Sequence, residues 1–187
     1  MSDLQESVFT AFLGPKRLAS GPLSQVALAA KKAIDRGATQ PVLIYNDSSG
    51  RAVDLDTRGS DAEIIARLAG PAPPSAPRGR GRPRLGVVAR EVTLLPRHWQ
   101  WLSRQPGGAS VAIRKLVETA RRTHQESDQR RSRQEAAYHF MSAMAGNLAN
   151  FEEASRALFA GDRARFMALI DQWPADVRDH ATKLAFG

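Results

Sequence analysis

The 187-residue chain contains no cysteine. Disulfides, thiolate metal sites and a cysteine nucleophile are therefore excluded, and the redox compartment is left unmarked. Histidine is scarce: His98, His124, His139 and His180 are scattered, and no two stand at the i, i+4 spacing of a helical zinc site. His98 and His180 are read as surface or interface residues. There is no Gly-x-x-x-x-Gly-Lys-Ser/Thr phosphate loop, and Gly79 and Gly81 do not lie between a strand and a helix. Asp54 and Asp56 share a turn, where two carboxylates are usually just solvated. No catalytic constellation can be assembled, so the expectation is a non-enzyme with no metal and no cofactor. Apolar runs also fall short of the roughly 18–20 residues of a membrane span, and no membrane partner is expected. Asp3 and Glu6 stand where a signal peptide would have a basic run and an apolar core. The expected location is the cytoplasm, at the nucleoid.

Hydrophobic content of 42% and charged content of 25% suit a globular chain, as one compact domain or two small ones. The net charge of +8 is unevenly placed. Residues 1–70 are neutral, residues 71–133 hold 14 basic against 4 acidic side chains, and residues 134–187 are net −2. A basic block between neutral and acidic flanks points to a polyanionic partner. The alternative is a solvated basic linker.

Residues 1–70 read as a small ββαββα unit. Ser7–Leu13 alternates loosely, Gly14-Pro15-Lys16 turns, and Leu18-Ala19-Ser20 returns. Pro22 opens a helix whose Leu23, Val26, Ala27, Ala30 and Ile34 share a face, and Gly37 stops it. Val42–Tyr45 and Ala52–Leu55 flank a turn at 46–50. Ser60 and Glu63 form a capping box for a short helix through Ile64 and Leu68. Residues 71–86, rich in proline and Arg-Gly repeats, form a flexible basic linker that cannot build a core. A strand-like run at 87–95 follows, then helix. In the region 125–187, Ala137, Phe140, Met141, Met144, Leu148 and Phe151 hold one face despite Gly146. Phe151-Glu152-Glu153 reads as a helix start. Gly161-Asp162 restarts a helix with Phe166, Leu169, Ile170 and Trp173 as its face, and Pro174 opens a last one with Val177, Ala181 and Leu184.

Two motifs lie in the basic block. Arg78-Gly79-Arg80-Gly81-Arg82-Pro83-Arg84 has a core, Arg80 to Pro83, that resembles an AT-hook. Glycine lets the backbone lie deep in a narrow minor groove, proline keeps it extended, and arginines follow the groove floor. The alternative is a basic Gly/Pro linker that holds phosphates without reading sequence. The second motif runs from Arg90 through Pro96, a short helix to Gln105, the turn Pro106–Ser110, and a helix from Val111 to about Arg122. Ile113, Leu116, Val117 and Ala120 form its stripe. Residues 87–124 thereby resemble the ribbon-helix-helix fold of MetJ- and Arc-type repressors.

That resemblance implies a homodimer whose paired strands enter the major groove of double-stranded DNA. It implies a shared core of Trp99, Leu102, Ile113, Leu116 and Val117. It assigns base contact to Arg90 and Thr93. Phosphate contact falls to the amides of Ala109, Ser110 and Val111 and to Arg97, Arg114 and Lys115, with Arg104, Arg121 and Arg122 as further candidates. Neither strand phase, Leu94/Val92/Arg90 or Leu95/Thr93/Glu91, is fully polar, which implies a bulge or shifted register. The alternative is an ordinary strand–helix–helix piece of a core. Through Arg90–Ser110 and Trp173–His180 the whole chain also resembles an uncharacterised bacterial family without assigned function.

The expected fold class is α+β: the N-terminal ββαββα unit, a basic linker, a ribbon-helix-helix-like middle and a helical C-terminal region. The expected function is DNA binding, as a transcriptional regulator or nucleoid-associated factor favouring A·T-rich DNA. The alternative is an antitoxin-type interaction protein that also holds a protein partner at its C-terminal helices.

Overall fold

The structure is a computed structural model in which residues 7–69, 88 and 90–187 are described. It is α+β, with a small antiparallel sheet followed by helices. The elements are β1 (Phe9–Leu13), β2 (Lys16–Gly21), α1 (Leu23–Asp35), β3 (Val42–Asn46), β4 (Ala52–Val53), α2 (Asp61–Ala69), α3 (Pro96–Ser103), α4 (Gly108–Ala145), α5 (Phe151–Ala160), α6 (Arg163–Leu169) and α7 (Ala175–Phe186). Met1–Pro71 and Asp128–Gly187 form one compact unit, and Ala72–Ser127 forms a second.

In the first unit the predicted ββαββα order is found, with sheet order β2-β1-β3-β4. Ala11 pairs with Ala19 but Phe12 with Arg17, so a bulge falls at Leu18. The capping box forms as its sequence requires. The Glu63 amide donates to Ser60 Oγ at 3.3 Å, and the Ser60 amide donates back to Glu63 Oε2 at 2.7 Å. The Ser60 hydroxyl donates to the same carboxylate oxygen at 2.9 Å. The amide and hydroxyl of Ser60 thus favour the charged carboxylate, and the Glu63 pKa is lowered accordingly.

β1 is buried on both faces, and its alternation sorts the two cores. Phe9 and Ala11 pack with Val26, Ala30 and Ile44 under α1. Phe12 points the other way, into a larger cluster with Tyr45, Phe140, Met141, Phe166, Ile170, Trp173, Val177 and Ala181. The apolar faces expected of α6 and α7 are therefore the ones buried.

Three expectations need correcting. The helix expected to end near Arg122 runs unbroken as α4 to Ala145. Intrahelical pairs such as Glu118 with Arg121 and Arg122 support its exposed stretch. The face expected to continue from Ala137 to Phe151 is divided after Ala145. Asn150 adopts φ 63°, and the Trp173 indole donates to the Ala149 carbonyl at 2.8 Å across the break. Leu148 and Phe151 still pack on the same core, and Phe151 begins α5. His180, expected at a surface or an interface, is completely buried within the chain.

Candidate nucleic-acid interface

The second unit holds the described DNA-binding candidates. Pro96 sits at the first turn of α3, where a missing amide costs nothing and Leu95 is extended. Leu102 faces inward while Trp99 and Trp101 are half exposed. Gly107 and Gly108, at φ 84° and 74°, turn the chain into α4 in a conformation that side chains with a Cβ rarely adopt. The Gly108 amide is bonded to the Gln105 carbonyl at 2.9 Å. The next three amides, of Ala109, Ser110 and Val111, belong to the turn of a helix that has no intrahelical acceptors.

Among the described residues of this unit only Leu102 and Ala112 are buried apolar residues. The stripe on α4 and the inner side of α3 instead line an open groove of about 330 Å³, formed by Leu94, His98, Trp101, Leu102, Ile113, Leu116 and Val117. Leu116 and Val117 remain more than half exposed, and Val92 and Leu95 nearby are exposed too. Four of the five residues assigned to a shared core thus line the groove. Trp99 does not, and Trp101 takes that place. The spacing of Leu94, His98, Trp101 and Leu102 was the available signal.

Arg90, Thr93, Arg97, Arg104, Arg114 and Lys115 are all exposed. None of the five cations among them makes an ion pair with a described residue, whereas Arg121 and Arg122 both pair with Glu118. Arg114 and Lys115 lie on the α4 face next to the apolar stripe, and Arg121 and Arg122 follow at i+7 on that same face. Of the expected strand at 87–95, the described residues 88 and 90–95 belong to no strand. A ribbon of this kind needs a second copy to supply the paired edge. Arg78, Arg80, Arg82 and Arg84 lie outside the described residues.

Asp56 is held by Arg58 and Arg67. The hydrogen bonds from Arg58 lower its pKa to about 2. Among the described residues no group of three or more His, Cys, Asp or Glu is placed to hold a metal ion. No described helix is long and apolar enough to cross a membrane.

No curated protein and no solved structure matches the chain. One family model does, over residues 8–185, and it describes an uncharacterized protein conserved in bacteria.

Proposed function

The chain belongs to this bacterial family, DUF2239, and from its own residues we propose that it is a DNA-binding protein rather than an enzyme. The observation that carries this reading is the set of exposed cations Arg90, Arg97, Arg104, Arg114 and Lys115, unpaired among the described residues, within a block of net charge +10. Cations already satisfied by carboxylates gain little from a phosphate. Unpaired ones release the counterions condensed on DNA, which drives association. The role is that of a transcriptional regulator or nucleoid-associated factor. Preference for A·T-rich duplexes comes from the AT-hook-like Arg80-Gly81-Arg82-Pro83.

The apolar groove supports the second half of the proposal, a ribbon-helix-helix-like homodimer. Half-exposed Trp101, Leu116 and Val117 leave apolar surface in water, and burying it stabilises by roughly 25 cal/mol per Å². A second copy would cover the groove and pair residues 90–95 at once.

Duplex affinity is expected to fall steeply with salt, with a log–log slope on the order of −5 to −9 for about six to ten phosphates per dimer. Fluorescence anisotropy at several salt concentrations measures it. Arg114→Ala with Lys115→Ala should flatten the slope by roughly 0.9 for each phosphate no longer neutralised. Arg80→Ala with Arg82→Ala should reduce the preference for matched A·T-rich over G·C-rich duplexes. A salt-independent affinity, or no binding at low salt, overturns the DNA reading. Full A·T preference in the Arg80/Arg82 variant removes the AT-hook alone.

Assembly has its own test. Leu116→Asp places a carboxylate in the groove and should turn a dimer into a monomer in sedimentation velocity. Because Leu116 is half exposed, the monomer should keep its helical circular-dichroism signal. A monomeric wild type removes the ribbon-helix-helix reading and leaves the charge argument standing.

A further inference from the structure

The polar contacts buried against the sheet lie outside the nucleic-acid reading. Thr10 on β1 and His180 on α7 are both completely buried. Between them stands Asp47, in the turn after β3. Its amide is tied to the Val8 carbonyl at 2.9 Å, and its Oδ1 accepts the Thr10 hydroxyl at 2.8 Å. Its Oδ2 accepts Lys183 Nζ of α7 at 2.9 Å. The carboxylate is thus occupied before His180 reaches it. His180 Nε2 stands 3.5 Å from Oδ1, and neither ring nitrogen of His180 has a hydrogen-bond partner among the described residues. The ring is enclosed instead by Phe12 and Phe140, at centroid distances of 5.4 and 4.7 Å.

We infer that the bonds of Thr10 and Lys183 to Asp47, with the buried His180 ring beside them, form an acid-release latch, which holds α7 on the sheet while the imidazole is neutral and frees it when the imidazole takes a proton. The surroundings set the sign. From β2, Arg17 adds positive charge, and its amide donates to Asp176 of α7 at 2.9 Å. From α7, Lys183 adds another cation. Behind Phe12 and Phe140 stands Tyr45 of β3, whose buried hydroxyl is also without a partner among the described residues. From α4 comes the Phe140 ring, while the neighbouring His139 bonds to Arg51. Among the described residues Asp47 is the one anion adjoining the ring, and Thr10 and Lys183 already draw on it.

Desolvation outweighs that anion, with Lys183 and Arg17 adding to it, and the pKa of His180 is lowered from 6.5 to about 4. A histidine depressed in the docked state favours docking fully above its free pKa. That preference is lost as the pH falls from 6.5 through about 4. The ratio of undocked to docked α7 should therefore rise as the pH falls through that window, approaching a limit of about 300-fold only below it. Release would expose Val177, Ala181 and Leu184, which the latch keeps against the larger core.

Hydrogen–deuterium exchange of the full chain, corrected for intrinsic rates, tests this between pH 7.5 and 4.5. The amides of 175–186 should lose protection on acidification while those of β1 and β3 keep theirs. His180→Phe, which fills the aromatic nest without titrating, should abolish the pH dependence. Loss of protection in step across α7 and the sheet, or an unchanged acid response in His180→Phe, overturns the latch. Should that variant fail to fold, the wild-type imidazole is titrated directly by NMR. Its midpoint should lie well below the ordinary imidazole range, and Lys183→Met should raise it. A midpoint in the ordinary imidazole range overturns the proposal equally.

Discussion

Gly50→Ala is expected to destabilise the protein by about 3–5 kcal/mol, among the largest effects a single methyl group can have. Gly50 closes the turn between β3 and β4 at φ 65°. A left-handed conformation alone costs a residue with a Cβ roughly 1–2 kcal/mol. The larger share comes from space. A Cβ built there would lie 1.7 Å from the Ala136 carbonyl oxygen and 2.5 Å from its carbon. Both are backbone atoms of α4, so no rotamer change relieves the clash, and the turn must back away from the helix. Asp47 belongs to that turn, and its bonds to Thr10 and Lys183 would be lost with the displacement. Gly37 supplies the control, because at φ 80° its added Cβ would meet nothing within 4 Å. Gly37→Ala should cost only the conformational share. Urea unfolding followed by far-UV circular dichroism compares the two, and equal losses would refute the close-approach account.

Phe140→Ala should cost a similar 3–5 kcal/mol for a different reason. Its ring is completely buried, with centroids 5.3 Å from Phe12, 5.0 Å from Tyr45 and 4.7 Å from His180. Truncation removes apolar area and leaves a cavity walled by the sheet on one side, where the paired strands β1 and β3 resist collapse. Tyr138, two residues earlier on the same helix, is 37% exposed. Tyr138→Ala should cost under about 1 kcal/mol, as partly exposed positions generally do. The same denaturation experiment reads both variants, and a small loss at Phe140 would show that the cluster repacks around the gap.

The elements of the first unit were legible because local chemistry dictates them. Gly14-Pro15 turns the first hairpin, Pro22 precedes α1, and Ser60 with Glu63 starts α2. The C-terminal apolar faces were legible for the same reason, since Phe166, Ile170, Trp173, Val177 and Ala181 recur at helical spacing. What escaped was non-local. Nothing near His180 in sequence announces Asp47, and a histidine flanked by Asp179 and Ala181 looks like a surface residue. The length of α4 escaped because its stretch 121–135 has almost no apolar periodicity to follow. Good helix formers and intrahelical pairs carry it instead. In the candidate interface the cations could be found by counting charge along the chain. The groove was harder: choosing between Trp99 and Trp101 requires the helical phase of α3, which begins only at Pro96.

The first unit is assembled from the two ends of the chain, with residues 72–127 between them. On the ribosome, β1 to β4 and α1 emerge early and can pair, yet the sheet has only one face covered. Phe12 and Tyr45 must wait for Phe140 and Val177, roughly five to twenty-five seconds later at typical synthesis rates. Throughout that interval the nascent chain presents an aromatic sheet face to its surroundings. Such a face is a ready substrate for a holding chaperone and a hazard for aggregation. A stall between the two halves should therefore harm yield more than one of equal length after the last helix has emerged.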